Sequence, residues 1–392
     1  MSATSPILRG AEKQRLMSLD VFRGLTICLM IVVNSSGTQS FAQLQHSAWN
    51  GWTLTDLVFP FFLFITGVSL TFSFASRIDA SCINAPSSCN SESRLSLLPH
   101  ILRRTVIIFA IGLLINAFPY YHLATWRIAG VLQRIALCYL AGSVLYLWTS
   151  VRTRWVVIAA LLVGYWLLMR FVPVPGFGVP TVDVPLLDPD RNLAAWLDRK
   201  LMWGHLYERV RDPEGVLSTF PAIANTLFGI AAGEWIRSLR NDSAKLISRL
   251  CAAGIVCCVA GELWGLVFPI NKKLWTSSYV LITVGLAMLA LAACYWLMDV
   301  KKLRGPWVIV PIVFGTNCIF AYSFSEFAAI AAVTFKFHLE GSLVSSKDAL
   351  NSFTFDNISQ PQWSSLAFAI FYAAFCWFFT WLLYRRKIFL KI

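Results

Sequence analysis

Three side chains near the start of the sequence have types and spacing that could support proton transfer. His46 precedes a long apolar segment, Asp56 lies inside that segment, and Asn34 lies near the end of the apolar segment before it. Histidine can act as a general base or a nucleophile, aspartate can orient it, and asparagine can donate a hydrogen bond to an oxyanion. The alternative is that His46 is an ordinary loop histidine, and spacing alone leaves both interpretations open.

Basic residues lie at the starts of two apolar segments, where Arg23 opens one and Arg103 and Arg104 open the other. Asp20 and Arg23 are three residues apart and would share one face of a helix. Backbone N–H groups at the start of a helix favour anions, so these arginines could bind phosphate groups. The alternative is a local ion pair for Arg23 and a positively charged cytoplasmic anchor for Arg103 and Arg104.

Four more polar residues interrupt or flank apolar segments elsewhere in the sequence. Ionisable residues at membrane depth are costly and usually face the interior of a helix bundle. Arg134 lies inside such a segment and needs a partner, which Glu214 or Asp56 could supply. Glu214, Asn271 and Lys272 lie just before two further segments. Each of these residues could contact a ligand or belong to a structural network.

The composition indicates which elements position these residues. Of the 392 residues, 57% are hydrophobic and 14% are charged, and the mean hydropathy is +0.64. Soluble domains usually have about a quarter of charged residues, so soluble, disordered and low-complexity classes are excluded. A helix needs ~20 apolar residues to cross the hydrocarbon core. Ten runs satisfy this, at about 19–38, 53–75, 101–118, 128–149, 154–172, 215–236, 247–268, 275–298, 307–328 and 363–384. We therefore predict an all-α polytopic membrane protein with about ten transmembrane helices.

The distribution of Lys and Arg predicts the orientation of these helices. The net charge is +13, and Lys and Arg are roughly twice as numerous on the side of the termini as on the other side. The positive-inside rule places both termini in the cytoplasm and explains the basic charge without nucleic acid. We predict a single transmembrane domain over residues 1–392, with a cytoplasmic linker at 76–100 and a long extracytoplasmic loop at 173–214.

The positions of the cysteines and the lack of common cofactor motifs predict that the protein has no metal site. Eight of the ten cysteines lie in apolar runs, and Cys82 and Cys89 share a polar loop. The sequence contains no C-x-x-C pair and no His/Cys cluster, so we expect no metal. It also contains no Walker loop and no H-E-x-x-H or G-x-S-x-G motif. Any chemistry would therefore depend on side chains and a bound cosubstrate.

Several longer blocks resemble the heparan-alpha-glucosaminide N-acetyltransferase family. The resemblance is carried, in order along nearly the whole chain, by Arg15–Gly24, Val33–Asn34, His46–Gly51, Asp56–Pro60, Gly130–Ile135, Asp212–Leu217 and Ile270–Trp275. Thr55 replaces the small apolar residue often found before the family's aspartate. The chain is most similar to the compact bacterial members, which implies a multi-pass protein of the bacterial inner membrane.

The resemblance implies transfer of acetyl from acetyl-CoA to the amine of a glucosamine residue across the membrane. The family's active-site histidine, asparagine and aspartate fall on His46, Asn34 and Asp56. Combined with the charged positions described above, this gives further candidate residues: Arg23, Arg103, Arg104 and Arg134 for acetyl-CoA, and Glu214, Asn271 and Lys272 for the sugar.

Two other functions fit the same sequence. A sugar or amino-sugar transporter would also have about ten spans with charges at membrane depth, and an O-acetyltransferase would acetylate a hydroxyl of a surface polysaccharide. An amino-sugar acceptor and membrane lipids are the expected partners. The sequence leaves open the size of the acceptor, a homo-oligomeric state, and the choice between an acetyl-histidine intermediate and a ternary complex.

Overall fold

The computed structural model describes residues 16–37, 39–75, 94–339, 342–355, 358 and 360–390. Cys82, Cys89 and most of the predicted linker at 76–100 lie outside these residues. The described end of that linker, residues 94–100, forms a turn that leads into a transmembrane helix. The predicted loop at 173–214 consists of turns and one short amphipathic helix.

The regular elements of the described part of the chain are helices and one small β-hairpin. Its elements in chain order are α1 (Met17–Ser35), α2 (Leu54–Ala75), α3 (Leu98–Ala117), α4 (Val131–Trp148), α5 (Val151–Phe171), α6 (Leu193–Leu201), α7 (Val216–Ser238), α8 (Ser243–Gly265), α9 (Ser277–Tyr295), α10 (Ile309–Thr316), α11 (Cys318–Thr334), β1 (Lys336–Leu339), β2 (Ser342–Ser345), α12 (Ser346–Thr354) and α13 (Pro361–Arg385).

The prediction of an all-α membrane protein is confirmed. Within the described ranges, nine unbroken helices are long and apolar enough to cross a membrane, namely α1 to α5, α7 to α9 and α13. The ninth predicted run, 307–328, is broken, because α10 and α11 meet at an angle of 82°. Helices α2, α7 and α9 are among the most enclosed spans and pack against one another at the centre of the bundle.

The break between α10 and α11 occurs at Asn317, whose side chain satisfies backbone groups of the C-terminal segment. Its Nδ2 donates to the carbonyl of Ile388 over 3.1 Å, and its Oδ1 accepts from the N–H of Leu390 over 3.0 Å. Irregular backbone at membrane depth is tolerated where protein covers it. The amide of Asn317 therefore allows the broken span to exist inside the bundle.

Helices α1 and α10 approach closely through two glycines. A Cβ atom on Gly24 would lie 1.7 Å from the carbonyl oxygen of Pro311, and one on Gly315 would lie 2.0 Å from that of Asp20. Small residues at helix contacts are typical of membrane proteins, because they let backbones approach. This contact fixes the start of α1, which carries Arg23, against the broken span.

Candidate active site

His46 and Asp56 form a hydrogen-bonded pair at one end of the bundle. His46 lies in the loop before α2, and its Nδ1 is 2.7 Å from Oδ1 of Asp56. The aspartate side chain is fully buried, whereas that of the histidine is 52% exposed. In the neutral tautomer in which Nδ1 carries the proton and donates a hydrogen bond to the carboxylate, the free lone pair of the ring lies on Nε2. The arrangement therefore orients a histidine that an incoming substrate can reach.

The start of α2 positions the carboxylate of Asp56. Its Oδ2 accepts hydrogen bonds from the N–H groups of Ser47 at 3.1 Å and Thr53 at 3.0 Å, and from the Thr53 hydroxyl at 3.1 Å. Asp56 is thus the third residue of a helix whose N-cap is Thr53, and its carboxylate accepts from the N-cap N–H as in one half of a capping box. A negative charge is also favoured at a helix N-terminus. These donors hold Asp56 with one oxygen left for His46.

Pro60 contributes to the site through the backbone. Proline has no N–H, so the carbonyl four residues earlier loses its helical partner. That carbonyl belongs to Asp56, and it accepts a hydrogen bond of 2.5 Å from the hydroxyl of Tyr279. Tyr279 is buried in α9 and stacks edge-on against Trp275, with ring centroids 5.3 Å apart. The carbonyl freed by Pro60 therefore joins Asp56 to the central helix α9.

Lys272 lies next to both His46 and Asp56. Its Nζ lies 2.9 Å from Nδ1 and 3.3 Å from Nε2 of His46, and 3.4 Å from Oδ1 of Asp56. Burial lowers the pKa of Lys272 even though Asp56 opposes the shift. The ammonium balances the buried carboxylate and limits how the imidazole can turn.

Asn271 is fully buried and holds the loop that carries Lys272. Its Oδ1 accepts from the N–H of Leu274 at 2.9 Å, and its Nδ2 donates to Oδ1 of Asn50 at 3.3 Å. The N–H of Gly51 also donates to the carbonyl of Ile270 at 2.8 Å. The loop of His46 and the loop of Lys272 are therefore joined, and the side chain of Asn271 is used in joining them.

Glu214 belongs to a second charged cluster at the same end. Arg127 makes two hydrogen bonds with Asp212, at 2.9 and 2.7 Å, and a further bond with Glu214. The guanidinium also stacks on the ring of Tyr207, 4.4 Å from its centroid. These carboxylates raise the pKa of Arg127 although burial opposes the change. The partner of Glu214 is therefore Arg127.

Asn34, at the end of α1, is hydrogen-bonded to a residue other than His46. Its Nδ2 donates to Oε1 of Glu326 in α11 at 3.0 Å. Among the hydrogen bonds of the described residues, none joins Asn34 to His46 or Asp56. The structure thus brings His46, Asp56 and Lys272 into contact, and places Asn34 and Glu214 in neighbouring pairs.

A cavity of about 410 Å³ begins at the opposite end of the bundle and runs between α1, α2, α3 and α4. At its basic end lie Arg23, which donates to Ser69 at 2.7 Å, and Arg104, which stacks over Tyr139 at 4.7 Å. Arg104 Nε is buried and has no hydrogen-bond partner among the described residues. Ser73 and Phe62 both line the cavity, so it extends ~16 Å along α2 at ~1.5 Å per residue.

The other two predicted arginines lie outside this cavity. Arg103 is exposed and is not among the lining residues. Arg134 is buried on the other face of α4, and its partners are the Ser218 hydroxyl at 2.5 Å, the Gly215 carbonyl at 3.2 Å and the face of Trp275. The expectation that Glu214 or Asp56 pairs with Arg134 is therefore wrong, because Arg127 and His46 occupy those carboxylates.

Two features of the site were absent from the sequence-based prediction. Thr53 could have been found, because its spacing to Asp56 is the capping-box pattern. Tyr279 could not, because its contact with Asp56 spans 223 residues and depends on how α2 and α9 pack. Within the described ranges, no group of three or more His, Cys, Asp or Glu residues could hold a metal ion.

The fold and site together define a polytopic helical membrane protein with a histidine–aspartate pair at one end and a basic cavity at the other. A family model described as "Heparan-alpha-glucosaminide N-acetyltransferase, catalytic" matches residues 15–264. The chain belongs to this family. The match includes His46, Asp56 and Arg104 but ends before Lys272.

Two curated proteins named heparan-alpha-glucosaminide N-acetyltransferase are similar to the chain. The mouse (Mus musculus) protein is 31% identical over 377 residues, which cover 81% of this chain and 54% of that protein. The human (Homo sapiens) protein is 29% identical over 440 residues, which cover 96% of this chain and 60% of that protein. The chain therefore spans between half and two thirds of the length of these relatives.

Proposed function

We propose that this protein transfers acetyl from acetyl-CoA to the amine of a glucosamine-type sugar. The observation that carries the proposal is the His46–Asp56 pair, in a chain that belongs to an N-acetyltransferase family. A buried carboxylate that holds an accessible imidazole in one orientation is the arrangement used for general-base and nucleophilic catalysis. Acetyl transfer to an amine needs such a base, because the ammonium form of an amino sugar is not nucleophilic.

We propose that the donor binds in the cavity that begins at Arg23 and Arg104, which we call the donor cavity. Acetyl-CoA is anionic at one end and slender at the other. Arg104 has a buried Nε without a partner, which is a donor suited to a phosphate oxygen. Asp56 lies ~9 Å beyond Phe62 along α2 at ~1.5 Å per residue, so the acyl end must extend past the apolar part of the cavity to meet His46. By the positive-inside rule, we place the basic end of the cavity at the cytoplasmic face of a bacterial inner membrane.

His46 moves the proton in this proposal. Nε2 takes a proton from the sugar ammonium, the freed nitrogen attacks the thioester carbon, a C–N bond forms and the C–S bond breaks. The proton on His46 then passes to the leaving thiolate, the acetylated nitrogen releases its second excess proton to solvent, and CoA departs as a thiol. In the two-step alternative, Nε2 itself attacks and an acetyl-imidazole carries the group to the amine. Asp56 stabilises the imidazolium in either route.

The neighbouring residues have supporting roles. Lys272 balances the charge of Asp56, and Asn271 positions the loop of Lys272. We propose that Glu214 contacts the sugar from its pair with Arg127, and that Asn34 stabilises the oxyanion once a substrate displaces it from Glu326. Each proposal requires that the ligand take over a hydrogen bond that a protein partner now makes.

The experiment is a measurement of CoA thiol release and N-acetylglucosamine formation by the purified protein in detergent. We expect His46→Ala to lower both by 10²–10⁴-fold, the size of a general-base contribution, while His122→Ala has little effect. His122 lies in the loop after α3 and is exposed. If His46→Ala retains full acetyl transfer with a wild-type melting curve, the catalytic assignment is wrong.

The same assay separates the alternatives. A transporter would release no CoA thiol when given acetyl-CoA and glucosamine. An O-acetyltransferase would acetylate hydroxyls of N-blocked sugars as well as it acetylates amines. Radiolabel retained on the protein after incubation with labelled acetyl-CoA alone, and lost in His46→Ala, would indicate the two-step route.

A further inference from the structure

A second cavity lies on the face of α4 that points away from the donor cavity. It has a volume of about 640 Å³ and runs between α3, α4 and α7. Its walls are almost entirely apolar and include Leu137, Leu140, Val144, Phe220 and Ile223. We call it the lateral groove. Helix α4 therefore separates two cavities, one with a basic end and one that is hydrocarbon-like.

The lateral groove opens towards the lipid. Leu137 is 43% exposed, Val144 is 37% exposed and Phe220 is 48% exposed, although all three lie within membrane-spanning helices. At this depth the surrounding solvent is hydrocarbon. An apolar groove that opens sideways into a bilayer takes up a hydrocarbon chain rather than water or a free sugar.

One end of the lateral groove carries polar atoms that no described residue hydrogen-bonds. Gln133 and Arg134 line it, and within the described ranges Gln133 Nε2, Arg134 Nε and Arg134 Nη1 are buried without a hydrogen-bond partner. Arg134 is only 1% exposed. Glu214 lines the same end, but its carboxylate bonds Arg127. Buried donors of this kind are costly unless something accepts from them. They suit a polar or anionic head group joined to the chain.

This polar end lies next to the site of His46. The guanidinium carbon of Arg134 lies 4.9 Å from the ring centroid of Trp275. The backbone N–H of Trp275 donates to the carbonyl of Lys272 at 3.0 Å. Trp275 in turn contacts Tyr279, which donates to Asp56. A single aromatic side chain thus separates the head of the groove from the loop that carries Lys272.

We infer that the lateral groove holds the hydrocarbon chain of a lipid-linked acceptor. The chain would lie along α4 and α7, the junction between chain and sugar would meet Arg134 and Gln133, and the amine would reach His46 from within the membrane. This inference rests on the proposed function and names its acceptor as an amino sugar carried on a hydrocarbon anchor.

The test compares two acceptors, methyl and dodecyl 2-amino-2-deoxyglucopyranoside, with acetyl-CoA and the full chain in lipid nanodiscs. The measured quantity is the ratio of kcat/KM for the dodecyl acceptor to that for the methyl acceptor. Ala141→Phe fills the groove, and Ala160→Phe places the same side chain on the exposed face of α5. We expect the ratio to fall at least ten-fold in Ala141→Phe and to be unchanged in Ala160→Phe.

The methyl acceptor reports whether each variant is folded. If Ala141→Phe also loses activity on the methyl acceptor, Val144→Phe and its control Val163→Phe, both lipid-exposed in the wild type, replace the first pair. An unchanged ratio in the groove variants overturns the inference. This is the result expected if a bulk phospholipid or a second copy of the chain, and not the acceptor, filled the groove. If the wild type acetylates neither acceptor, the proposed function itself fails. If it acetylates both without preference, only the lipid-linked acceptor is excluded.

Discussion

The carboxylate of Asp56 at one end of the bundle accepts hydrogen bonds from several protein donors, whereas Arg104 at the other end keeps a buried Nε unpartnered. Groups that react must be held in one geometry before the substrate arrives, so bonds within the protein are an advantage. Groups that bind a ligand must still have donors to offer. The difference fits the proposal that the His46 end performs the chemistry and the Arg104 end recognises the donor.

The largest effect that would break this comparison is expected at Asp56. Asp56→Asn keeps the size of the side chain but removes its charge. The amide can also donate to Nδ1 of His46, which would favour the tautomer whose proton is on Nε2. We expect kcat to fall by about 10²–10⁴ with a small change in KM for acetyl-CoA. Asp242→Asn is the matched control, because Asp242 also caps a helix through a backbone N–H. A fall in kcat of similar size in both variants would contradict the role of Asp56.

A smaller effect, confined to donor binding, is expected at the opposite end. Arg104→Ala removes a charged donor worth ~1.5–3 kcal/mol, so KM for acetyl-CoA should rise ~10–100-fold while kcat changes little. Arg103→Ala is the neighbouring control, because Arg103 is exposed and does not line the cavity. Equal KM values for the two variants would show that the cavity does not bind the donor's phosphates.

The smallest effect concerns the dependence of stability on pH. Burial lowers the pKa of Lys272 in the folded protein below its usual value of 10.5. The unfolded chain therefore binds more protons in the window between the lowered pKa and 10.5, and this residue's contribution makes stability rise with pH there. We expect Lys272→Gln to flatten the rise of Tm in this window by a few degrees, and Lys273→Gln, whose partner is Glu208, to leave it in place. The same slope in Lys272→Gln and wild type would contradict this interpretation.

Hydropathy was sufficient to predict the spans, because the length of an apolar run decides whether it can cross a bilayer. It could not reveal the break in the 307–328 run, since Asn317 interrupts an otherwise apolar segment and its partners lie more than 70 residues away. The pairing of His46 with Asp56 could be predicted from the sequence, because the two residues are ten positions apart and Asp56 lies in the first turn of a helix.

Contacts between distant segments account for the rest of the difference. Lys272 reaches His46 across 226 residues, and Arg127 reaches Glu214 across 87. Charge alone made Glu214 a reasonable partner for Arg134, but its carboxylate pairs with Arg127 in the loop before α4, and the guanidinium of Arg134 is directed elsewhere. Such directions depend on how helices rotate against one another, and a single sequence does not encode them locally.

The side chain of Asn317 has a practical consequence. By binding the backbone at 388 and 390, it brings the segment after α13 back to the broken span, where Leu390 becomes part of the wall of the donor cavity. An environment-sensitive dye attached at residue 390 would therefore lie at the proposed binding site of acetyl-CoA. It could report donor binding by fluorescence in real time, without acceptor and without turnover.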